Sequence, residues 1–348
     1  MSGAPHPSHV PIASHARRPV CAETGGIASR CRRPIVVVVS VAVLAVALSG
    51  CEAPPPSWMS EAAPTPTMFA PESVSTDARE YGITFSPDGR EAYFTRRSRR
   101  GPPRIYLSRF ENGGWTRAEP APFSVDGDES PFMSRDGTLL LFASRRPTPD
   151  VWDRSENLWM VERGVDGWLE PTPLAGEVNR PWEEEDDFTR GSELGPILLD
   201  DGTLLYWSRM DPEWGDDLYV ASRDEAGAWV EPRPLLINSY GQESNPAMSP
   251  DGRYLIFQGY RDAAAPGDQD LYVSERTDYG WTTPRPLPEP VNSSDSEGYP
   301  SFSPDGRFFF FASDRADPRG YYDIYYVGVE ALGLGAEPYA GTTLTPAY

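Results

Sequence analysis

Glu80, Asp128, Glu193, Glu243 and Glu297 each stand eight residues before the Asp of an Asp-Gly pair. An acid recurring at one register of a repeated unit brings five carboxyls to one level of the fold. Crowded carboxylates either raise one another's pKa or gather a cation. The structural role open to each is to cap backbone amides or to pair with an arginine of the next repeat. A second acidic set, Asp211, Asp216 and Asp217, then Asp262, Asp268 and Asp270, then Asp314, Asp317 and Asp323, recurs in three repeats. Within it, Asp217, Asp270 and Asp323 immediately precede apolar runs and are the candidate calcium ligands, through oxygen coordination. The spacing varies and matches no regular calcium loop, so solvated turns are the alternative. Arg96, Arg97, Arg99, Arg100 and Arg104 form a third cluster, set against the acidic run PWEEEDDF at 181–188. Guanidinium suits bidentate recognition of phosphates or uronic acids, whereas Gly101, Pro102 and Pro103 mark the same stretch as a solvated loop.

Missing residue types narrow the chemistry further. The three histidines, His6, His9 and His15, and two of the three cysteines, Cys21 and Cys31, all precede Cys51. Downstream of Cys51 the residues for Ser-His-Asp, Cys-His and zinc chemistry are absent, and no disulfide can form. The chain has no lysine, so every side-chain cation other than histidine is arginine. Setting aside Glu23 and the five arginines of the first fifty residues leaves 51 acids against 26 arginines, a formal charge of −25. Such a surface repels nucleic acid and anionic phospholipid, and favours neutral, cationic or metal-bridged partners.

The elements that must position these groups are read from the turn. Asp-Gly recurs at Gly89, Gly137, Gly202, Gly252 and Gly306, at intervals of 48, 65, 50 and 54 residues. Pro at the first central position, Asp beside it and Gly at the exit specify a tight turn. Five residues after each Gly comes an aromatic, Phe94, Phe142, Trp207, Phe257 or Phe311, inside a short apolar run that reads as a strand covered on both faces. A third apolar run follows in every copy, and four copies add a Gly-Trp or Ala-Trp step at Trp115, Trp168, Trp229 and Trp281. Each unit thus holds four short strands in about fifty residues, the content of a propeller blade.

FSPDGREAYFT from Phe85, MSPDGRYLIFQ from Met248 and FSPDGRFFFFASDR from Phe302 resemble the Pro-Asp variant of the WD-type repeat, as in the carboxy-terminal domain of TolB-like periplasmic proteins. SRDG at Ser134 and LDDG at Leu199 depart from it by lacking the Pro. The resemblance covers roughly Ser73 to Val327 and implies an all-β propeller of five four-stranded blades, with six the alternative. The segment Met68 to Thr76 resembles the end of a fourth strand and is expected to close the last blade as a velcro strand.

Ahead of the repeats, Arg30, Arg32 and Arg33 precede the apolar run Ile35 to Leu48, which suits a signal-peptide core. Leu48, Ser49, Gly50 and Cys51 resemble the lipobox of bacterial lipoproteins, in which the Cys becomes lipidated; a non-cleaved anchor followed by a buried Cys is the other reading. The expected layout is a signal peptide over 1–50, a Pro/Ala/Ser-rich tether over 51–71, the propeller over 72–330 and a tail over 331–348. Glu52 after the Cys favours, by the same resemblance, the outer membrane. Two functions follow as expectations. One is a monomeric, non-catalytic envelope lipoprotein whose propeller binds a protein or a glycan, with its only membrane contact through the lipid and no required cofactor. The other is a carboxylate-only glycoside hydrolase, recognisable by two channel acids about 5 to 9.5 Å apart beside a cleft.

Overall fold

The turn motif builds each blade from its serine outward. Ser86 Oγ donates to Asp88 Oδ1 at 2.6 Å and accepts the Glu91 amide at 2.9 Å, while the Gly89 amide closes on the Ser86 carbonyl at 2.8 Å. Ser134, Ser249 and Ser303 repeat the arrangement with Asp136, Asp251 and Asp305. In the third copy Leu199 replaces the serine, so the hydroxyl contacts are lost, while the Gly202 amide to the Leu199 carbonyl, the Leu199 amide to the Thr203 carbonyl, both at 2.9 Å, and the Thr203 amide to Asp201, at 3.0 Å, remain. Each turn therefore joins an inner strand to a second strand in fixed register.

The structure, a computed structural model, describes residues 54–60, 63–147, 155–179, 191–209, 215–261 and 269–335. The leader, Cys51, the acidic run at 181–188, Asp211, Asp262, Asp268 and the tail from 336 lie outside them. Five antiparallel sheets follow one another around a common axis. Blade I comprises Arg79–Phe85, Glu91–Arg97 and Pro103–Glu111, with an outer edge in two pieces, Gly114–Trp115 and Glu119–Pro120. Blade II comprises Asp128–Met133, Leu139–Ser144 and Asn157–Gly164, edged by Gly167–Trp168 and Thr172–Pro173. Blade III is Glu193–Leu198, Leu204–Ser208, Asp217–Arg223 and Trp229–Pro234. Blade IV is Glu243–Met248, Tyr254–Gly259 and Asp270–Thr277, edged by Gly280–Trp281 and Arg285–Pro286. Blade V is Glu297–Phe302, Phe308–Ser313 and Asp323–Gly328, and its outer strand is Thr67–Met68, paired Thr67 to Tyr326 and Met68 to Tyr325. The five blades and their closure by an amino-terminal strand are as the repeats predict, but the strand is Thr67–Met68 and overlaps the expected segment Met68 to Thr76 only at Met68.

Five hydrophobic clusters fill the five interfaces between neighbouring blades. Phe94, Phe142, Phe257 and Phe311 are at most 1% exposed within them, so the aromatic five residues past each glycine is a core residue in four blades. Trp207 is only half-buried, and its Nε1 donates to Asn245 Oδ1 of the next blade at 3.3 Å.

Two expected boundaries are corrected. The stretch read as a tether over 51–71 packs on the propeller over its described part. Trp58 and Met59 lie buried in a 3-10 turn over Ser57–Ser60; the Trp58 ring stacks 5.1 Å from Phe85, and its Nε1 donates to the Gly89 carbonyl at 3.0 Å. Ala63 is also buried, and its carbonyl accepts the Gly328 amide at 2.7 Å. A Pro/Ala-rich average hides that one Trp and one Met are enough apolar surface to dock a short segment. At the other end Val329–Leu332 forms a second 3-10 turn whose Leu332 is buried, so the fold runs past residue 330.

Candidate functional site

The inner strands do not run straight. In all five the pairing slips between the residue after the acid and the fourth residue after it. The residue two past the acid, Gly82, Ser130, Gly195, Asn245 or Tyr299, takes a left-handed conformation with φ between 47° and 59°. A bulge of this kind leaves its extra residue outside the ladder, which explains the Pro that follows in four blades: Pro131, Pro196, Pro246 and Pro300 need donate no hydrogen bond there. The bulge also separates two groups of side chains, one turned into the blade and one facing the channel.

The five acids belong to the first group and are fully buried. Glu80 accepts the amide and hydroxyl of Thr76 and the Nε of Arg96 at 2.7 Å. Asp128 is held by the Val125 amide, the Ser144 hydroxyl and Arg146 at 3.0 Å. Glu243 takes the amide and hydroxyl of Ser239 and Arg261 at 3.1 Å, and Glu297 takes those of Ser293 together with Ser313 and Arg315 at 2.9 Å. Glu193 is met by the Ser208 hydroxyl at 3.5 Å. The arginine lies in the same blade as its acid, not in the next one as one reading expects. It spans the blade boundary by its second contact, a carbonyl of the incoming loop: Val74 at 2.9 Å, Phe123 at 2.7 Å, Ile237 at 2.7 Å and Val291 at 2.5 Å. Each of these guanidiniums also lies over two aromatics, as Arg261 does over Phe257 at 5.6 Å and Tyr272 at 5.9 Å. Burial pushes the Glu80 and Asp128 carboxyls up, and their hydroxyl and arginine partners oppose that. Four of the five ring acids are thus each held in a clasp of their own.

The incoming loops carry a brace absent from the sequence reading. Asn179, Asn238 and Asn292 each accept the first amide of an apolar run, Leu158, Leu218 or Leu271, and donate back to the same residue's carbonyl. Ser124 and Ser75 serve Ile105 and Ile324. The signal is legible: an Asn or Ser follows a buried Val, Ile or Phe, four or five residues before the acid in the four loops described throughout.

The aspartates proposed for calcium are dispersed. Asp217, Asp270 and Asp323 are buried at the starts of three third strands. Burial, with Glu80 and Asp317 nearby, pushes Asp323 up to about 7. Asp216 engages Arg209 at 2.6 Å, Asp314 accepts the Ser296 amide at 2.9 Å, and Asp317 caps its own turn. Among the described residues no group of three or more metal-ligating side chains comes together. The arginine cluster divides likewise. Arg96 is spent on Glu80, Arg97 donates to the Gly101 carbonyl at 3.3 Å, Arg104 donates to the Ser124 carbonyl at 2.7 Å, and Arg99 and Arg100 are exposed.

The groups that do meet at the throat of the channel were not singled out from the sequence. Tyr299, the one bulky residue at the left-handed position, sets its ring 4.4 Å from Tyr81, and Tyr81 donates its hydroxyl to Glu129 Oε2 at 3.1 Å. A left-handed Tyr is strained and marks a place worth functional scrutiny. Glu129, adjacent to Asp128, is pushed up to about 7 by burial and by the nearby Glu156. Glu156 is itself held by Arg145 and by the Ser192 hydroxyl at 2.7 Å. On the turn side of this throat the inner strands flare into a funnel of about 810 Å³ lined by all five blades.

No family model matches the chain, and the comparison with curated sequences finds no match. Solved structures similar to it include a protein described as TolB from Agrobacterium tumefaciens, 18% identical with a TM-score of 0.45, over 74% of this chain and 79% of that one. TolB from Acinetobacter baumannii is 14% identical with a TM-score of 0.45, over 72% of this chain and 54% of that one. An alpha-L-arabinofuranosidase from Lactobacillus brevis is 14% identical with a TM-score of 0.45, over 72% and 89%. The chain spans about half the length of the second protein. Values at this level speak for neither activity nor partner.

Proposed function

We propose that this chain is a non-catalytic, lipid-anchored propeller of the cell envelope, on the periplasmic face of the outer membrane or at the cell surface, that binds a protein or a glycan. One observation carries the reading. Four of the five ring carboxylates, the groups best placed to act as an acid and base pair, are each fixed by a guanidinium and at least one hydroxyl inside a blade. What remains open is shape: a rigid ring with a funnel and loops, the usual equipment of a binding module. Lipidation of Cys51 rests on the tetrad Leu48 to Cys51, and the acidic surface argues against nucleic acid. The domain acts as a monomer, its sheet edges closed by Thr67–Met68.

The test is capture of envelope proteins by the immobilised domain beside a glycan array, with Cys51→Ala scored for loss of the membrane fraction. Saturable binding of one ligand supports the reading. Turnover of a glycoside overturns it. The carboxylate enzyme is retained as the second reading for one reason: Glu129, pushed up to about 7 by burial and by Glu156 nearby, is a carboxyl at the throat outside the four clasps. On that reading Glu129→Gln abolishes turnover.

A further inference from the structure

The two turns that lack the repeat's proline supply the two partners of a single ion pair. In blade II Arg135 takes the proline position, in blade III Asp200 takes it, and the Arg135 guanidinium binds the Asp200 carboxylate. Its other nitrogen donates to the carbonyl of Pro250, at the same turn position in blade IV, at 2.7 Å. One side chain therefore strings three turns together at the mouth of the funnel. Such a contact contributes little to holding the ring, since Arg135 and Asp200 are 61% and 70% exposed.

Behind this strap the funnel has the size and wall chemistry of a small-molecule site. Its volume is about 810 Å³, and its walls include Phe85, Met133, Ile197, Met248 and Phe302. The charged side chains lining it are four aspartates, 136, 200, 201 and 251, against Arg135 and Arg276. Asp136, Asp201 and Asp251 are committed to amides of their own turns. Asp200 is bound by Arg135 alone among the described residues.

We propose that the funnel is a binding cup for a small amphiphilic cation, an apolar body bearing one ammonium or guanidinium group, and that Arg135 is the internal cation which such a guest displaces from Asp200. An anionic guest that captured Arg135 would leave Asp200 unpaired beside it among three further carboxylates. A cationic guest on Asp200 instead releases Arg135, a long and half-solvated side chain, to water. The formal charge of −21 on the whole chain adds attraction for cations. The inference goes beyond the scaffold reading and survives its failure, since a hydrolase acting at the throat would still carry this cup on the turn side.

The experiment is fluorescence polarisation of rhodamine 6G, an apolar cation, and of fluorescein, its anionic counterpart, against the full chain and the variants Arg135→Ala, Asp200→Asn and the double variant. The exposed positions of both residues leave the fold intact, which the unchanged melting temperature of each variant checks. Expected is binding of rhodamine 6G in preference to fluorescein. Arg135→Ala tightens it about two- to fivefold by removing the competitor, Asp200→Asn weakens it by a similar factor, and the double variant matches Asp200→Asn. Equal or tighter binding of fluorescein, no binding of either dye, or indifference of rhodamine 6G to Asp200→Asn overturns the proposal.

Discussion

Removing Arg261 strands a carboxylate in the core. Glu243 is 0% exposed, and after Arg261→Ala it keeps, among the described residues, the amide and hydroxyl of Ser239. The variant also frees the Ile237 carbonyl and uncovers the rings of Phe257 and Tyr272. Breaking a buried pair from one side costs about 3–5 kcal/mol, because the surviving charge is left without its counter-ion in a poorly solvated site. Replacing both partners, as Arg261→Met with Glu243→Leu, removes the charge with the pair, and the cost falls to about 1–2 kcal/mol, set by the freed Ser239 and Ile237 groups. The two sit in one unit, so the effects are not additive. Urea titrations at pH 7 read both variants. A loss under about 1 kcal/mol in Arg261→Ala, or a double variant as unstable as the single, refutes the clasp.

Phe257→Ala empties a fully buried position between blades III and IV and is expected to cost about 3–5 kcal/mol in a denaturant titration; under about 1 kcal/mol would remove it from the core. Trp58→Ala is expected to cost a similar amount and to open the segment around Ser57–Ser60 to protease, whereas a solvated tether would lose no more than about 0.5 kcal/mol. Glu129, pushed up to about 7, contributes stability that is present below about pH 4.5 and lost as pH rises through about 7, up to about 3 kcal/mol. Glu129→Gln should therefore match the parent at pH 4 and exceed it at pH 8; Asp323, also near 7, leaves part of the slope in place. Superimposable pH profiles of variant and parent would show that Glu129 titrates normally.

The blades were legible because turn, aromatic and acid recur at fixed offsets, and because a strand buried on both faces shows as a continuous apolar run. The direction of the acids was not. Alternation along a strand predicts facing only while the strand is regular, and the bulge two residues past each acid breaks the alternation. The ring acids consequently point into the blades, while Glu129 reaches the throat. The Ser or Thr four residues before an acid, as at Ser293 and Glu297, was visible as a pair but carries no meaning until the incoming loop is seen to fold back over it. Trp58 was lost in a stretch dominated by Pro and Ala, where composition outweighed one large side chain. The missing prolines at Arg135 and Asp200 read as weakened repeats because the turns that bear them lie 65 residues apart.

Pairing Thr67–Met68 with the strand Asp323–Gly328 has a consequence for how the protein is made. The first strand of the described chain finds its partner only when nearly the last has been delivered. A polypeptide emerging amino end first from the ribosome therefore holds Thr67–Met68 without its partner strand until about 250 further residues have arrived. Interruption anywhere in that interval yields an arc with a bare hydrogen-bonding rim, open to pairing with a second chain.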